Sequence, residues 1–151
     1  MLILAGCGGQ GEPKAQSQTV RGRSFSFSAP AGWRVERSPR GATASRDSEL
    51  VEVSAFQLVR RYRPSLFGRV AGELGIRMKA IARETAGTLS GPTTVTAGGV
   101  QSHRYDVQID GHLDQYTFVL IGRREYQLLC RTRGSSAGGF CADLLTSFRP
   151  A

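Results

Sequence analysis

Three groups of residues in this chain have types and spacings that could do chemistry. Gly134-Ser135-Ser136-Ala137-Gly138 matches G-x-S-x-G and falls between an expected strand and an expected helix. That is where a nucleophile elbow presents its serine. As a serine hydrolase the chain would use Ser136. Such a site draws its acid and its histidine from further along the chain; only Asp143 follows Ser136, and no histidine does. A glycine and serine loop ahead of a helix accounts for the same residues. The second group is His103 and His112, which with Asp110 or Asp114 would offer nitrogen and oxygen donors to a metal. The spacing is not that of a defined metal site. Exposed strand and turn histidines, with no metal and no cofactor, are the expectation. No phosphate loop, dinucleotide fingerprint or paired-carboxylate pattern stands in the 151 residues.

The third group is the cysteines: Cys7, Cys130 and Cys141. Cys7 closes Leu4-Ala5-Gly6-Cys7, which resembles a bacterial lipobox. That motif has an apolar residue three before the cysteine, small residues at the cut, and a thiol to carry a diacylglyceryl group. The expectation is a signal remnant with lipobox over residues 1–7, lipidated at Cys7. A Gly-, Gln- and Ser-bearing tether follows over residues 8–23. Lipidation of Cys7 leaves Cys130 and Cys141. They either close a disulfide, as an exported protein allows, or stay as two buried thiols behaving as small hydrophobes. The disulfide is the favoured reading, and it would staple the last helix to the sheet edge.

Charge adds a further candidate. Lys and Arg number 20 against 12 Asp and Glu, a net +8, and only Lys14 and Lys79 are lysine. Arg60-Arg61-Tyr62-Arg63 and Arg123-Arg124 are the dense clusters. Such clusters fit anionic surfaces, and arginine grips phosphate and carboxylate in bidentate fashion. Export argues against nucleic acid. Anionic lipid headgroups, an acidic envelope polymer or an envelope protein remain, beside the plain reading of a solvated basic face.

The elements that must hold these residues can be read from periodicity. Phe25-Ser26-Phe27 and Trp33 to Glu36 alternate as strands, with a turn at Ala29 to Gly32. Ser38 to Ser48 is polar, holds Pro39 and Gly41, and reads as a loop. Leu50 to Val59 reads as a strand. From Pro64, the residues Phe67, Val70, Leu74, Met78 and Ile81 recur at threes and fours, one face of a helix ending near Gly87. Thr93 to Thr96, Tyr105 to Ile109, Leu113 to Ile121 and Tyr126 to Arg131 then alternate as hairpin strands. The turns are Gly98-Gly99, Asp110-Gly111 and Gly122 to Arg124; at Asp110-Gly111 both positions can take positive φ. Leu113 to Ile121 is apolar at nearly every position, so it reads as a central strand covered on both faces. Gly139 to Phe148 reads as a short helix. Hairpins make the sheet antiparallel, and its two apolar faces call for cover on both sides.

This order is similar to the PsbP-like superfamily, named for an extrinsic photosystem II subunit. The residues that carry the resemblance are Phe25-Ser26-Phe27-Ser28-Ala29-Pro30-Ala31-Gly32-Trp33, the mid-chain helix, Gly98-Gly99 leading into Tyr105-Asp106-Val107, and Cys141 to Arg149. They are packing signatures. The resemblance implies an α+β fold, an α/β/α sandwich with a central antiparallel sheet, as a single domain over residues 24–150. It also implies a non-catalytic accessory or binding role. The expected protein is therefore not an enzyme but an extracytoplasmic module, lipid-anchored at the outer face of the cytoplasmic membrane. A carrier or sensor of a small amphiphile is the alternative.

Overall fold

A computed structural model describes residues 16–151. Cys7 and the first half of the expected tether, residues 8–15, lie outside the described residues. Ten strands and two helices follow one another as β1 (Ser17–Arg21), β2 (Phe25–Pro30), β3 (Arg34–Arg37), β4 (Gly41–Arg46), β5 (Glu49–Gln57), α1 (Phe67–Glu84), β6 (Thr88–Ala97), β7 (Val100–Ile109), β8 (His112–Ile121), β9 (Arg124–Arg133), α2 (Gly139–Ser147) and β10 (Arg149–Pro150). A 3-10 turn at Pro64–Leu66 leads into α1.

Seven strands form an antiparallel sheet in the order β3-β4-β5-β9-β8-β7-β6. A small sheet, β1-β2-β10, lies with α2 on one face of it, and α1 lies on the other. This is the α+β layering, a central antiparallel sheet covered on both faces, that the resemblance implies. The cause is visible in β8, where both faces are buried. Phe118 meets α1 through Leu74, Met78 and Ala82, which recur every four residues along that helix. Val119 faces the opposite way, into a larger core with Phe27, Trp33, Val53, Tyr126, Leu144 and Phe148.

Helix α1 contains Gly72 and Gly75, each worth about 1 kcal/mol against a helix relative to alanine. Packing holds it instead. Tyr105 of β7 reaches across, and its hydroxyl donates to the Ala71 carbonyl at 2.9 Å. The helix ends through Ala86, which takes the left-handed conformation (φ 53°), so the Gly87 N–H closes on the Ala82 carbonyl at 2.8 Å. Gly87 serves space and not φ: a Cβ there would meet Val107 Cγ1 at 2.5 Å.

Several expectations change. Residues 17–21, placed in the tether, form β1, because Val20 is buried opposite Phe27. The expected loop Ser38 to Ser48 holds β4, whose Ala42 and Ala44 are buried. Their methyls are small enough to sit under the second layer, and neither gives an apolar signal in a polar stretch. Ala29 and Pro30 continue β2 instead of turning. In the Asp110-Gly111 turn only Gly111 takes positive φ, at 84°.

Cys130 and Cys141 form a disulfide with Cα atoms 5.5 Å apart. It does not reach a sheet edge. Cys130 is on β9, the middle strand of the seven, so the bridge ties α2 to the centre of the sheet. Thr132 adds a tie from the same strand, accepting from the Gly138 N–H at 3.2 Å just before α2. Replacing both cysteines by alanine is expected to cost about 3 kcal/mol. Calorimetry should then show melting lowered by roughly 10 °C. An unchanged melting temperature would mean the bridge adds nothing beyond packing.

Candidate functional site

Ser136 lies exposed in the bend between β9 and α2. The strand leading into it belongs to an antiparallel sheet, not to the parallel sheet that presents a nucleophile elbow. Among the described residues no three His, Cys, Asp or Glu side chains converge as a metal site would require.

The two histidines do not face one another. His103 pairs with Phe118 and His112 with Ile109, six residue steps apart along the hairpin, or about 20 Å. Nor is His103 exposed. It is buried, stacks on Phe67 with ring centroids 3.8 Å apart, and its Nε2–H donates to the Phe67 carbonyl at 2.7 Å. It therefore pins the start of α1 to the sheet. His112 turns Nε2 toward Asp114 at 3.7 Å.

Asp114, the one carboxylate of β8, is enclosed, with its side chain 1% exposed. Arg131 of β9, directly opposite in register, grips both oxygens, Nε to Oδ1 at 2.8 Å and Nη2 to Oδ2 at 2.9 Å. The hydrogen bond to Asp114 holds the Arg131 guanidinium above its usual range, against the lowering effect of burial. Burial raises the phenol of Tyr116, and the Asp114 charge adds to that rise while Arg131 opposes it. A second pair joins the helix to the sheet: Arg77 Nη1 donates to the buried Glu125 Oε1 at 2.6 Å, and Gln127 donates to the same oxygen at 2.9 Å. Arg77 also stands over the Phe118 ring at 5.5 Å. Both networks hold elements together, although His112 Nε2 beside the first is buried without a hydrogen-bond partner.

The arginine clusters behave differently. Residues 58–66, the strap between β5 and α1, lie against the β8–β9 turn. The Leu58 N–H donates to the Arg123 carbonyl at 2.8 Å and the Tyr62 N–H to the Gly122 carbonyl at 2.7 Å, while Arg123 Nη1 donates to the Val59 carbonyl at 3.3 Å. Arg60, Arg61 and Arg63 thereby join Arg123 and Arg124 at one end of the sheet. Arg23 and Arg40 share a shallow cleft with Arg124 at that end, and Arg40 stands over the Phe56 ring at 5.9 Å. The turns there, residues 22–24, 38–40, 58–66, 98–99 and 122–123, carry no Asp or Glu. Sequence reasoning missed Arg23 and Arg40. Recognising β4 would have found Arg40, because pairing β4 with β5 returns the β3–β4 turn to the end where Gln57 meets Arg124.

Two clefts flank the strap. One, of 740 Å³, is walled by Arg61, Tyr62, Arg63 and Pro64 and lined beyond them by Val100, Leu120 and Ile121. The other, of 420 Å³, runs under the strap and along α1, past Leu66, Arg69, Val70 and Arg77. Burial raises the phenol of Tyr62, which stands between them. The chain enters at the opposite end of the molecule: Gln16 bonds to Ala31 beyond the far end of β2. Among the described residues no helix is long and apolar enough to cross a membrane.

Comparison with known proteins bears on the fold. No protein-family model matches the chain, and no curated protein does. Among solved structures, the solution structure of a cyanobacterial PsbP (CyanoP) from Synechocystis sp. PCC 6803 superposes with a TM-score of 0.62 at 15% identity, covering 98% of this chain and 99% of that one. A crystal structure from Bacteroides thetaiotaomicron VPI-5482 superposes with a TM-score of 0.50 at 12% identity, covering 84% of this chain. This chain spans 45% of the length of that protein. The domain thus has a PsbP-like fold, an antiparallel sheet flanked by two helices. At these identities the likeness concerns the fold alone.

Proposed function

We propose that the chain is a non-enzymatic accessory or binding module of the bacterial cell envelope, lipid-anchored through Cys7 at the outer face of the cytoplasmic membrane. The observation that carries the binding role is the arginine end. Two clusters some 60 residues apart in sequence, Arg60 to Arg63 and Arg123-Arg124, meet there among turns free of acid. Such a surface favours a partner rich in phosphate or carboxylate. The lipobox-like Leu4-to-Cys7 stretch supports the anchor, and the Cys130–Cys141 bridge supports an oxidising compartment.

The start of β1 and the arginines lie at opposite ends. From Gln16 to the β1–β2 turn is six residues of strand, about 20 Å. Nine residues, 8–16, separate Cys7 from β1. A lipid at Cys7 is closer along the chain to that end, which holds Asp47 and Asp110 beside Arg46 and Arg133, than to the arginine end. An anionic envelope polymer or an acidic envelope protein fits that order better than lipid headgroups.

The test is mass spectrometry on the protein gently extracted from its own host membrane. A Cys7 carrying diacylglyceryl, and a retained polymer or protein, is the expected result. An unlipidated Cys7 would remove the anchor; a bare protein would remove the accessory role. A second reading, a carrier or sensor of a small amphiphile, is favoured by one observation, the arginine-rimmed cleft of 740 Å³ beside the strap.

A further inference from the structure

We propose that the cleft between the strap and the β6–β7 hairpin is a binding site for a single-chain anionic amphiphile: a hydrocarbon tail carrying one carboxylate or phosphate head. This deepens the carrier reading and is independent of the anchor at Cys7. Three features of the site select that chemistry. Its volume, 740 Å³, lies in the range of small-molecule sites. Its apolar lining is Leu120 on the α1 face of the sheet, with Val100 and Ile121 at the sheet end and Tyr62 and Pro64 on the strap. Among the described residues its charged lining is Arg61 and Arg63, with no carboxylate.

Each rival ligand leaves one of those features unused. A free phosphate or a sugar acid would satisfy the arginines and leave the apolar lining wet. A neutral lipid would use the apolar lining and leave both exposed guanidinium groups to water, gaining nothing from them. A two-chain lipid would need more apolar wall than one cleft supplies. The head belongs at the strap, where arginine can fork onto two oxygens, and the tail belongs over Leu120 toward Val100.

The cleft is built before any ligand arrives. Its strap wall is pinned to the β8–β9 turn by the Tyr62-to-Gly122 and Leu58-to-Arg123 backbone bonds. The facing wall is the Gly98-Gly99 turn. Both glycines have positive φ, 58° and 79°, and a Cβ on Gly98 would meet the Phe148 carbonyl at 2.6 Å. The turn is thus fixed against α2, and the two walls stand on rigid parts of the sheet. Preorganisation of this kind reduces the ordering cost of binding.

Titration calorimetry on the full chain, below the micelle concentration of each probe, tests the site. The probes are dodecyl phosphate, myristate, dodecanol and inorganic phosphate. Binding of one molecule per chain is expected for dodecyl phosphate or myristate, at least tenfold weaker binding for dodecanol, and none for inorganic phosphate. The tighter of the two anions identifies the head, phosphate or carboxylate. Gln101→Trp, at an exposed position on the rim, should block the cleft and abolish binding while leaving the melting temperature unchanged. Arg61→Gln with Arg63→Gln should weaken it at least tenfold. Amphiphile binding that survives both changes would overturn the site and leave the carrier reading standing. No binding of either anionic amphiphile would overturn both.

Discussion

Arg131→Ala is expected to destabilise the domain by about 3 kcal/mol or more, the cost of stripping one partner from a buried ion pair. Asp114 has its side chain 1% exposed, and both of its oxygens are held by Arg131. Without that guanidinium the nearest cation is His112, 3.7 Å away and charged only when protonated. A carboxylate so enclosed has little water to turn to. The reciprocal change, Asp114→Asn, should cost less. Arg131 is 32% exposed, so water replaces part of what it loses, and the asparagine oxygen still accepts one bond. An expected 1–2 kcal/mol follows from losing a charge-assisted bond at a half-open site. Urea unfolding of the two variants measures the difference. Equal losses, or a larger loss for Asp114→Asn, would show that the pair is not organised around the burial of Asp114. Because β8 and β9 are neighbours at the middle of the sheet, a real loss there should lower the whole transition instead of loosening one edge.

The same two strands show what can be read from sequence and what cannot. β7 and β9 alternate, β8 between them is apolar on both faces, and short glycine-bearing turns join the three, so their order and pairing follow from local pattern alone. Helix α1 declares itself through Leu74, Met78 and Ile81. β4 does not, because its buried positions are Ala42 and Ala44 among Thr43, Ser45 and Arg46. β1 does not either, since Val20 is its single buried residue and its partner strand supplies the rest. Burial of His103 was equally hidden. It depends on Phe67, 36 positions away, swinging over β7 at the start of a helix.

The candidate site was legible residue by residue and not as a place. Both arginine clusters stand out in the sequence. Their meeting depends on β5 pairing with β9, which sets Gln57 opposite Arg124. That pairing crosses the whole helix and three strands, and no local signal encodes it. The cysteines were a partial case. Their pairing followed from the spare thiol, whereas the attachment to the centre of the sheet followed only from the strand order.

Replacing Arg60, Arg61, Arg63, Arg123 and Arg124 together by glutamine should weaken binding to linear polyphosphate about a thousandfold or more at 0.1 M salt, taking about 1 kcal/mol per charge near an anionic surface and 1.4 kcal/mol per decade. The change removes five charges from a net of +8. Net charge alone would therefore lower affinity somewhat, and a control must separate that effect from the site. Arg34, Arg46, Arg83 and Arg133 lie away from this end, on β3, β4, the close of α1 and the close of β9. Their joint replacement removes nearly as much charge from the rest of the surface. If the arginine end is the docking surface, the control should lose about tenfold or less, because at 0.1 M salt charges beyond about 10 Å are largely screened. The slope of log affinity against log salt should flatten in the five-residue variant and stay steep in the control. Similar losses in both would mean that the protein meets polyanions by overall charge, and that the convergence of strap and turn serves only to close the fold. Vesicles of anionic lipid, offered to the same proteins, supply the other half of the comparison. Tighter binding to vesicles than to polyphosphate would turn the arginine end back toward the membrane, against the direction in which β1 enters the fold.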